Sequence, residues 1–193
     1  MKFRDLACAV AILTASASTV VAGDRFVTAF ALGDIGDNAR LDSADIGVVE
    51  IFEGESRSFA VFEAPDEEAL SEHLARLGLS PERMLTVDFV NSPEVGGGDP
   101  AGEAPRPGHG VYVIERPIPG VGSFPLEKKQ MISRRSNASV RQLGDKVEWV
   151  HSYLTSEGTF CVYRAEDEQS IREHAELSGA PVELITLTRG AVE

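Results

Sequence analysis

The sequence has few cysteines: Cys8 and Cys161 are the only two in 193 residues. Cys8 lies in residues 1–22, where Lys2 and Arg4 precede an apolar run that ends in small residues. That order is typical of a cleaved secretory signal peptide, and the run has fewer strongly apolar residues than the roughly 20 of a membrane-spanning helix. Removal of this segment leaves one cysteine. An intramolecular disulfide is then excluded, even though the predicted periplasmic or secreted location would permit one.

Basic residues are also scarce. The chain has 18 Lys and Arg against 31 Asp and Glu, a formal charge of −13. Without residues 1–22, which carry Lys2, Arg4 and Asp5, 16 basic and 30 acidic residues remain, and the formal charge is −14. Such a surface repels nucleic acids and anionic membranes, so neither is an expected partner after signal cleavage. The acidity itself favours a cationic partner or serves solubility alone.

Short catalytic motifs are missing as well. The sequence has no CxxC, HxH or HExxH pattern, and no serine lies in a nucleophile elbow. The Gly96-Gly97-Gly98 run does not stand between a predicted strand and a predicted helix, so it is not a phosphate-binding loop. Any chemistry must therefore come from residues that the fold brings together.

What the sequence does have is a near repeat. SFAVFEAPDEEALSEHL at 58–74 returns as TFCVYRAEDEQSIREHA at 159–175, at a constant offset of 101. This similarity predicts an internal duplication, with a diverged first repeat at 24–90 and a second repeat at 110–193. The residues between them, 91–109, are rich in Gly and Pro and predict a flexible linker.

The second repeat shows a regular series of elements. We predict a strand at 111–115, a helix at 125–143, a hairpin of strands at 147–154 and 159–165, a helix from Asp167 to Gly179, and a closing strand at 182–189. The order β-α-β-β-α-β is that of a ferredoxin-like unit, in which both helices cover one face of an antiparallel sheet.

The open face of such a sheet must be covered. Two ferredoxin-like repeats can cover each other, which predicts an α+β fold of tandem repeats forming a pseudo-dimeric α/β barrel with a cavity between the sheets. In the first repeat only about a dozen residues separate the first two strands, so its first helix is short or missing. A second chain, in a homodimer, could therefore still be needed to complete the cover.

Three runs of the second repeat carry a resemblance to a known family: VYVIERPIPGVG, SNASVRQLG and VEWVHSYLTSEGTFCVY. They resemble DUF4242, a small bacterial family of dimeric α/β-barrel proteins with a ferredoxin-like fold. A characterised relative is described as a nickel-binding protein. The resemblance implies the same fold here and a divalent transition metal, such as nickel, as the bound cofactor.

Strand alternation places several polar and aromatic side chains on one predicted face, toward the cavity. We assign three of them as metal ligands, since imidazole, thiolate and carboxylate suit nickel, zinc or copper: His151, Cys161 and Glu115. The others are expected to line the pocket: Trp149, Tyr153 and Tyr163. Their counterparts in the first repeat, which include Ala60 for Cys161 and Glu50 for His151, differ, so the site would exist once.

Other interpretations of these residues stay open at this stage. His151 could act as the general base of a cofactor-independent oxygenase or an isomerase, with Glu115 or Tyr163 as its proton partner. The chain could also be an exported interaction module without a ligand, and Cys161 could be a small buried hydrophobe. The histidine kept in both repeats, His73 and His174, is expected to be structural and to bond a strand or loop carbonyl.

Overall fold

The structure, a computed structural model, describes residues 23–35 and 41–191, with side chains to residue 189. The predicted signal peptide lies outside these residues. The first unit runs through β1 (Asp24–Ala31), β2 (Gly47–Gly54), β3 (Arg57–Ala64), α1 (Glu67–Arg76), β4 (Arg83–Thr86) and β5 (Phe89–Asn91). The second unit runs through β6 (Gly110–Arg116), α2 (Leu126–Leu143), β7 (Val147–Leu154), β8 (Thr159–Ala165), α3 (Glu168–Ser178) and β9 (Leu184–Ala191). No helix of the described residues is long and apolar enough to cross a bilayer.

Local sequence explains where the repeated helix begins in both units. Asp66 and Asp167 are the N-caps of α1 and α3, and each carboxylate accepts a hydrogen bond at 2.8 Å from the backbone N–H three residues later. In α3 the helix ends at Gly179, whose φ of 65° is left-handed and favours glycine. The start predicted for α3 and its glycine stop are confirmed.

The nine strands of the described residues form one antiparallel sheet, in the order β4-β1-β3-β2-β9-β6-β8-β7-β5. Each unit contributes the ferredoxin-like strand order, β4-β1-β3-β2 in the first and β9-β6-β8-β7 in the second. The sheet closes because only Val87 and Asp88 separate β4 from β5, and their N–H groups donate to Arg25 O beside β4 and Leu154 O beside β5. The predicted α+β fold, tandem ferredoxin-like units in a pseudo-dimeric α/β barrel, is confirmed.

The first unit has no helix among the described residues between β1 and β2. Residues of this connection instead pack against the helix face of the sheet, where Ile35, Leu41 and Ile46 join the core that includes Leu70 of α1. His73 binds this connection, since its Nε2 lies 2.8 Å from Leu41 O. The predicted bond of His73 to a loop carbonyl is confirmed, and this core is covered without a second chain.

The barrel interior is filled rather than hollow. Its core consists of buried apolar side chains from both units: Val27, Ala29, Phe52, Phe59, Val61, Val113, Tyr153, Phe160 and Val162. The rings of Phe59 and Phe160, equivalent residues of the two units, meet edge to face with their centres 6.0 Å apart. The predicted cavity between the two sheets is therefore replaced by packed side chains in this region, because large aromatic rings point inward from both units.

The segment predicted as a flexible linker lies along the second unit with defined contacts. The side-chain amide of Asn137 in α2 donates to Pro93 O at 2.9 Å, and Arg164 of β8 donates to Gly102 O. A Cβ at Gly96 would lie 2.7 Å from the backbone N of Arg134, so glycine lets the two backbones approach. The Gly and Pro residues of this segment allow close packing against the second unit. Composition alone does not distinguish such a packed segment from a flexible linker.

Candidate functional site

A β-bulge in β7 decides which side chains face which side of the sheet. Trp149 pairs with Tyr163, but His151 pairs with Val162, so Val150 is an extra residue without a partner on β8. The bulge reverses the alternation, and Trp149 no longer shares a face with His151. The predicted common face is wrong for this reason.

The six predicted site residues consequently divide between the two faces of the sheet. His151, Tyr153 and Glu115 lie on strands at positions that face the barrel interior, beside Val162, Phe160 and Val113. The remaining three face the helices: Trp149, Cys161 and Tyr163. The structure thus does not bring Cys161 together with His151 and Glu115. No group of three or more His, Cys, Asp and Glu that could hold a metal occurs in the part of the chain that the structure describes.

His151 instead meets an acidic residue of the first unit. Its Nε2 lies 3.0 Å from Oε2 of Glu50 on β2, and the hydroxyl of Tyr153 donates to the same oxygen at 2.6 Å. The His151 side chain is 16% exposed and that of Glu50 29%, so solvent reaches the pair. This cluster, Glu50 with His151 and Tyr153, is called the cross-barrel cluster below.

Burial and hydrogen bonding set the protonation states in the cross-barrel cluster. Burial alone would raise the pKa of Glu50, but the hydrogen bond and charge of His151, the hydrogen bond of Tyr153 and the charge of Arg25 outweigh it and lower that pKa. Burial, followed by the charge of Glu50, raises the pKa of Tyr153. At neutral pH the cluster therefore presents a carboxylate from Glu50 and a neutral phenol from Tyr153, beside the ring of His151.

Sequence reasoning missed Glu50, although a signal for it was present. Glu50 and His151 are 101 residues apart, the offset of the repeat, and the bulge in β7 has a counterpart in β2, where Val49 is the residue left unpaired. Glu50 and His151 therefore hold equivalent places that meet inside the barrel, as Phe59 and Phe160 do. Pairing each residue with its own repeat equivalent would have identified the contact.

Glu115 faces the interior as predicted, but it is engaged elsewhere. Its two carboxylate oxygens each accept a hydrogen bond at 3.0 Å, one from Arg57 and one from Arg83, and the residue is only 4% exposed. Two guanidinium groups already neutralise this carboxylate and fill its lone pairs. The structure therefore gives Glu115 a role in an ion-pair network, away from Cys161.

Cys161 lines a separate cavity on the helix face of the second unit. This cavity, called the helix-side cavity, measures about 360 Å³ and lies between the sheet and helices α2 and α3. Trp149, Tyr163 and His174 also line it, together with Arg116, which sequence reasoning did not single out. The thiol of Cys161 is buried and lies 3.0 Å from the hydroxyl of Thr159. Two of the three predicted pocket-lining residues, Trp149 and Tyr163, thus line a cavity outside the barrel, whereas Tyr153 does not line it.

His174 departs from its expected bond to a carbonyl. Its Nε2 lies 3.2 Å from the hydroxyl of Ser136 in α2, and that hydroxyl lies 3.1 Å from the hydroxyl of Tyr163. Burial, followed by the charge of Arg116, lowers the pKa of His174 to about 4, so the imidazole is neutral near pH 7. The two equivalent histidines thus differ: His73 hydrogen-bonds a backbone carbonyl in the first unit, whereas His174 lines a cavity in the second.

Comparison with protein families finds one similarity within the second unit. Residues 112–187 match the model of a family described as nickel responsive protein SCO4226-like. The match lies inside the segment for which a resemblance was predicted, and it supports a relation to metals, but it does not carry the predicted family number. It covers less than half of the 193 residues, so the similarity is stated for this segment alone. Comparison with curated proteins gives no match.

Solved structures that resemble the chain share little sequence with it. A mutant chlorite dismutase from Candidatus Nitrospira defluvii is 10% identical with a TM-score of 0.48, covering 86% of this chain and 91% of that chain. The same enzyme in complex with imidazole is 12% identical with a TM-score of 0.45, covering 88% and 90%. A putative monooxygenase from Lactobacillus acidophilus NCFM is 8% identical with a TM-score of 0.39, covering 88% and 97%. The fold given above rests on the strand order and not on these likenesses.

Proposed function

We propose that this protein binds a divalent transition metal ion, with nickel the first candidate, at the cross-barrel cluster. Glu50 and His151 would hold the ion, one from each unit. The observation that supports this site is the 3.0 Å distance between His151 Nε2 and Glu50 Oε2, at a place that solvent reaches. The match of residues 112–187 to a nickel-responsive family supports the choice of ion. With the predicted signal peptide, this makes a periplasmic or secreted metal-binding protein.

The donors of the cluster fit such an ion. An imidazole nitrogen and a carboxylate oxygen are both ordinary ligands of nickel, copper and zinc. A separation of 3.0 Å is also the spacing of two adjacent donors on one ion whose bonds are about 2.1 Å long. Two protein donors leave the other positions to water, which suits a site from which the ion can leave again.

Binding at this cluster must compete with a proton. In the metal-free cluster a hydrogen bond joins His151 and Glu50, whereas an ion needs the lone pairs of both. Apparent affinity should therefore fall in acid, where protons compete with the ion for the donor atoms. The Tyr153 hydroxyl remains available to bond the carboxylate.

The enzymatic alternative, with His151 as general base, has one supporting observation. A carboxylate that accepts a hydrogen bond from an imidazole orients that imidazole for proton transfer, and Glu50 is placed to do so. However, the helix-side cavity lies across the sheet from His151, and neither Glu115 nor Tyr163 bonds it. Metal binding needs no adjoining substrate pocket and is the function that we propose.

The test is calorimetric titration of the full chain with Ni²⁺, Cu²⁺ and Zn²⁺ at two pH values. We expect one ion per chain, weaker binding at the lower pH, and affinity reduced at least 10-fold in both Glu50→Gln and His151→Gln. His73→Gln is the matched control, because it removes an imidazole outside the cluster, and Cys161→Ser tests the ligand predicted from sequence. Circular dichroism checks that each variant folds. Undiminished binding in both cluster variants, or loss only in Cys161→Ser, would overturn the proposed site.

A further inference from the structure

The helix-side cavity has the size and composition of a small-molecule site. Its volume of about 360 Å³ lies in the range of ligand pockets, roughly 300–1,000 Å³. Apolar residues contribute most of its wall, and the stacked rings of Trp149 and Tyr163, with centres 6.4 Å apart, form part of the sheet side. Such a wall favours a ligand with an apolar, planar body.

Arg116 supplies a buried positive charge whose Cζ lies 5.9 Å from the centre of the Tyr163 ring but which pairs with no carboxylate among the described residues. It is 4% exposed, and its Nη1 donates to Pro181 O at 2.7 Å. Among the described residues Arg116 takes part in no salt bridge, and its Nη2 is buried without a hydrogen-bond partner. The neighbouring Glu115, in contrast, has two arginines. A buried cation without a carboxylate is costly, so an anionic ligand here would be stabilising.

Two titratable groups near Arg116, His174 and Tyr163, are neutral at physiological pH, while Arg135, an exposed residue of α2, adds a second positive charge to the lining. Burial lowers the pKa of His174 to about 4 and raises the pKa of Tyr163 above its usual range, against the opposing charge of Arg116. Nδ1 of His174 is also buried without a hydrogen-bond partner in the part of the chain that the structure describes. Two residues that line this cavity, 4% and 1% exposed, thus each have a buried nitrogen without a partner among the described residues.

The charge of this cavity selects the sign of its ligand. Arg116 would repel a metal ion, so the cavity and the cross-barrel cluster suit ligands of opposite charge. A guanidinium presents planar N–H donors that match a carboxylate, and the remaining apolar wall accommodates the rest of such a molecule. We propose that the helix-side cavity binds a small monocarboxylate with an apolar, planar body, its carboxylate paired with Arg116.

Trp149 makes this proposal directly measurable, because it is the only tryptophan in the chain and lines the cavity. The full chain would be titrated with benzoate, with neutral benzamide, with cationic benzylamine and with inorganic phosphate. We expect benzoate to change Trp149 fluorescence in a saturable way and to bind at least 10-fold more tightly than the other three. Equal binding of benzamide or phosphate would overturn the apolar-carboxylate assignment.

Variants test the role of Arg116. Arg116→Met should weaken benzoate at least 10-fold and leave benzamide unchanged, whereas Arg134→Met, which removes an exposed arginine of α2 that does not line the cavity, should leave both unchanged. If Arg116→Met does not fold, the proposal is tested instead by the rate at which the buried Cys161 thiol is alkylated in a Cys8→Ser chain.

Benzoate should slow this alkylation by at least 10-fold, and benzylamine should not. Unchanged alkylation and unchanged fluorescence at about 10 mM benzoate, where even millimolar affinity saturates, would overturn the proposal. Nickel binding at Glu50 and His151 is measured separately, so either proposal can fail alone.

Discussion

Glu50 Oε2 lies 3.0 Å from His151 Nε2, and the two residues are 101 positions apart in the chain, the offset that relates the two units. Their strands, β2 and β7, are not neighbours in the sheet and stand on opposite sides of the closed barrel. The Phe59 and Phe160 rings, also 101 residues apart, meet in the same interior. Equivalent residues of the two units therefore contact each other along the barrel axis. A single site at this position needs both units.

The Glu50–His151 contact should make stability depend on acid. The pKa of Glu50 is lower in the folded protein than in the unfolded chain, where it is about 4.3. The ionised carboxylate therefore stabilises the fold above the unfolded-state pKa, and this contribution is lost as pH falls through the folded-state pKa. Glu50→Gln should lower the free energy of unfolding at pH 7 by about 1.5–3 kcal/mol, the range for hydrogen bonds to a charged group. Urea unfolding from pH 7 to pH 3 measures this, and the difference from the unchanged protein should shrink toward pH 3.

An exposed pair provides the comparison for Glu50. Glu72 in α1 pairs with Arg76 one turn later, and both side chains are about two-thirds exposed. Glu72→Gln should cost less than about 1 kcal/mol at every pH. An equal loss in the two variants would contradict a special contribution from the cross-barrel contact.

The buried carboxylate of Glu115 should stabilise the fold through its two arginines. Glu115→Gln leaves Arg57 and Arg83 facing a neutral amide, and we expect a loss of about 1.5–3 kcal/mol in the free energy of unfolding. Glu157→Gln is the matched change, because Glu157 pairs with the same Arg83 but its side chain is 56% exposed; it should cost less than about 1 kcal/mol. Urea midpoints at pH 7 distinguish the two outcomes, and a larger loss in Glu157→Gln would be inconsistent with this role.

The aromatic pair at the barrel axis should couple the two units energetically. Phe59→Ala and Phe160→Ala should each cost about 3–5 kcal/mol, since both residues are almost fully buried. In a double-mutant cycle the pair should show a coupling of about 0.5–1.5 kcal/mol from its edge-to-face contact. Strictly additive losses, measured by equilibrium unfolding, would show that the rings act independently.

His174 should make the second unit sensitive to moderately low pH. Below about pH 6.5 the unfolded chain binds a proton at this histidine, whereas the folded protein does so only near pH 4. Unfolding is therefore favoured as pH falls through this interval, by at most about 1.4 kcal/mol per pH unit. His174→Gln should flatten the pH dependence of stability between pH 6.5 and 4. His73→Gln, at the equivalent place of the first unit, serves as control, and an identical flattening there would remove His174 as the cause.

Local sequence predicted the elements of the second unit well. Asp167 and Gly179 mark the start and end of α3 because a capping carboxylate and a residue that tolerates positive φ act within a few residues of the helix ends. The same holds for the strands β7 and β8, whose predicted bounds are those observed. The sequence similarity at an offset of 101 predicted two ferredoxin-like units, and the strand order shows two such units.

The candidate sites depend on how distant strands pair and pack, which local sequence does not reveal. The extra residue Val150 in β7 reversed the face of Trp149 relative to His151, and a bulge depends on how one strand pairs with another rather than on its own alternation. Glu50 reaches His151 only because closure of the barrel places distant strands opposite each other. The sequence by itself determined which helices and strands form, through caps, turns and periodicity. Only the tertiary structure decided which side chains share a site, because that depends on register and on contacts between residues a hundred positions apart.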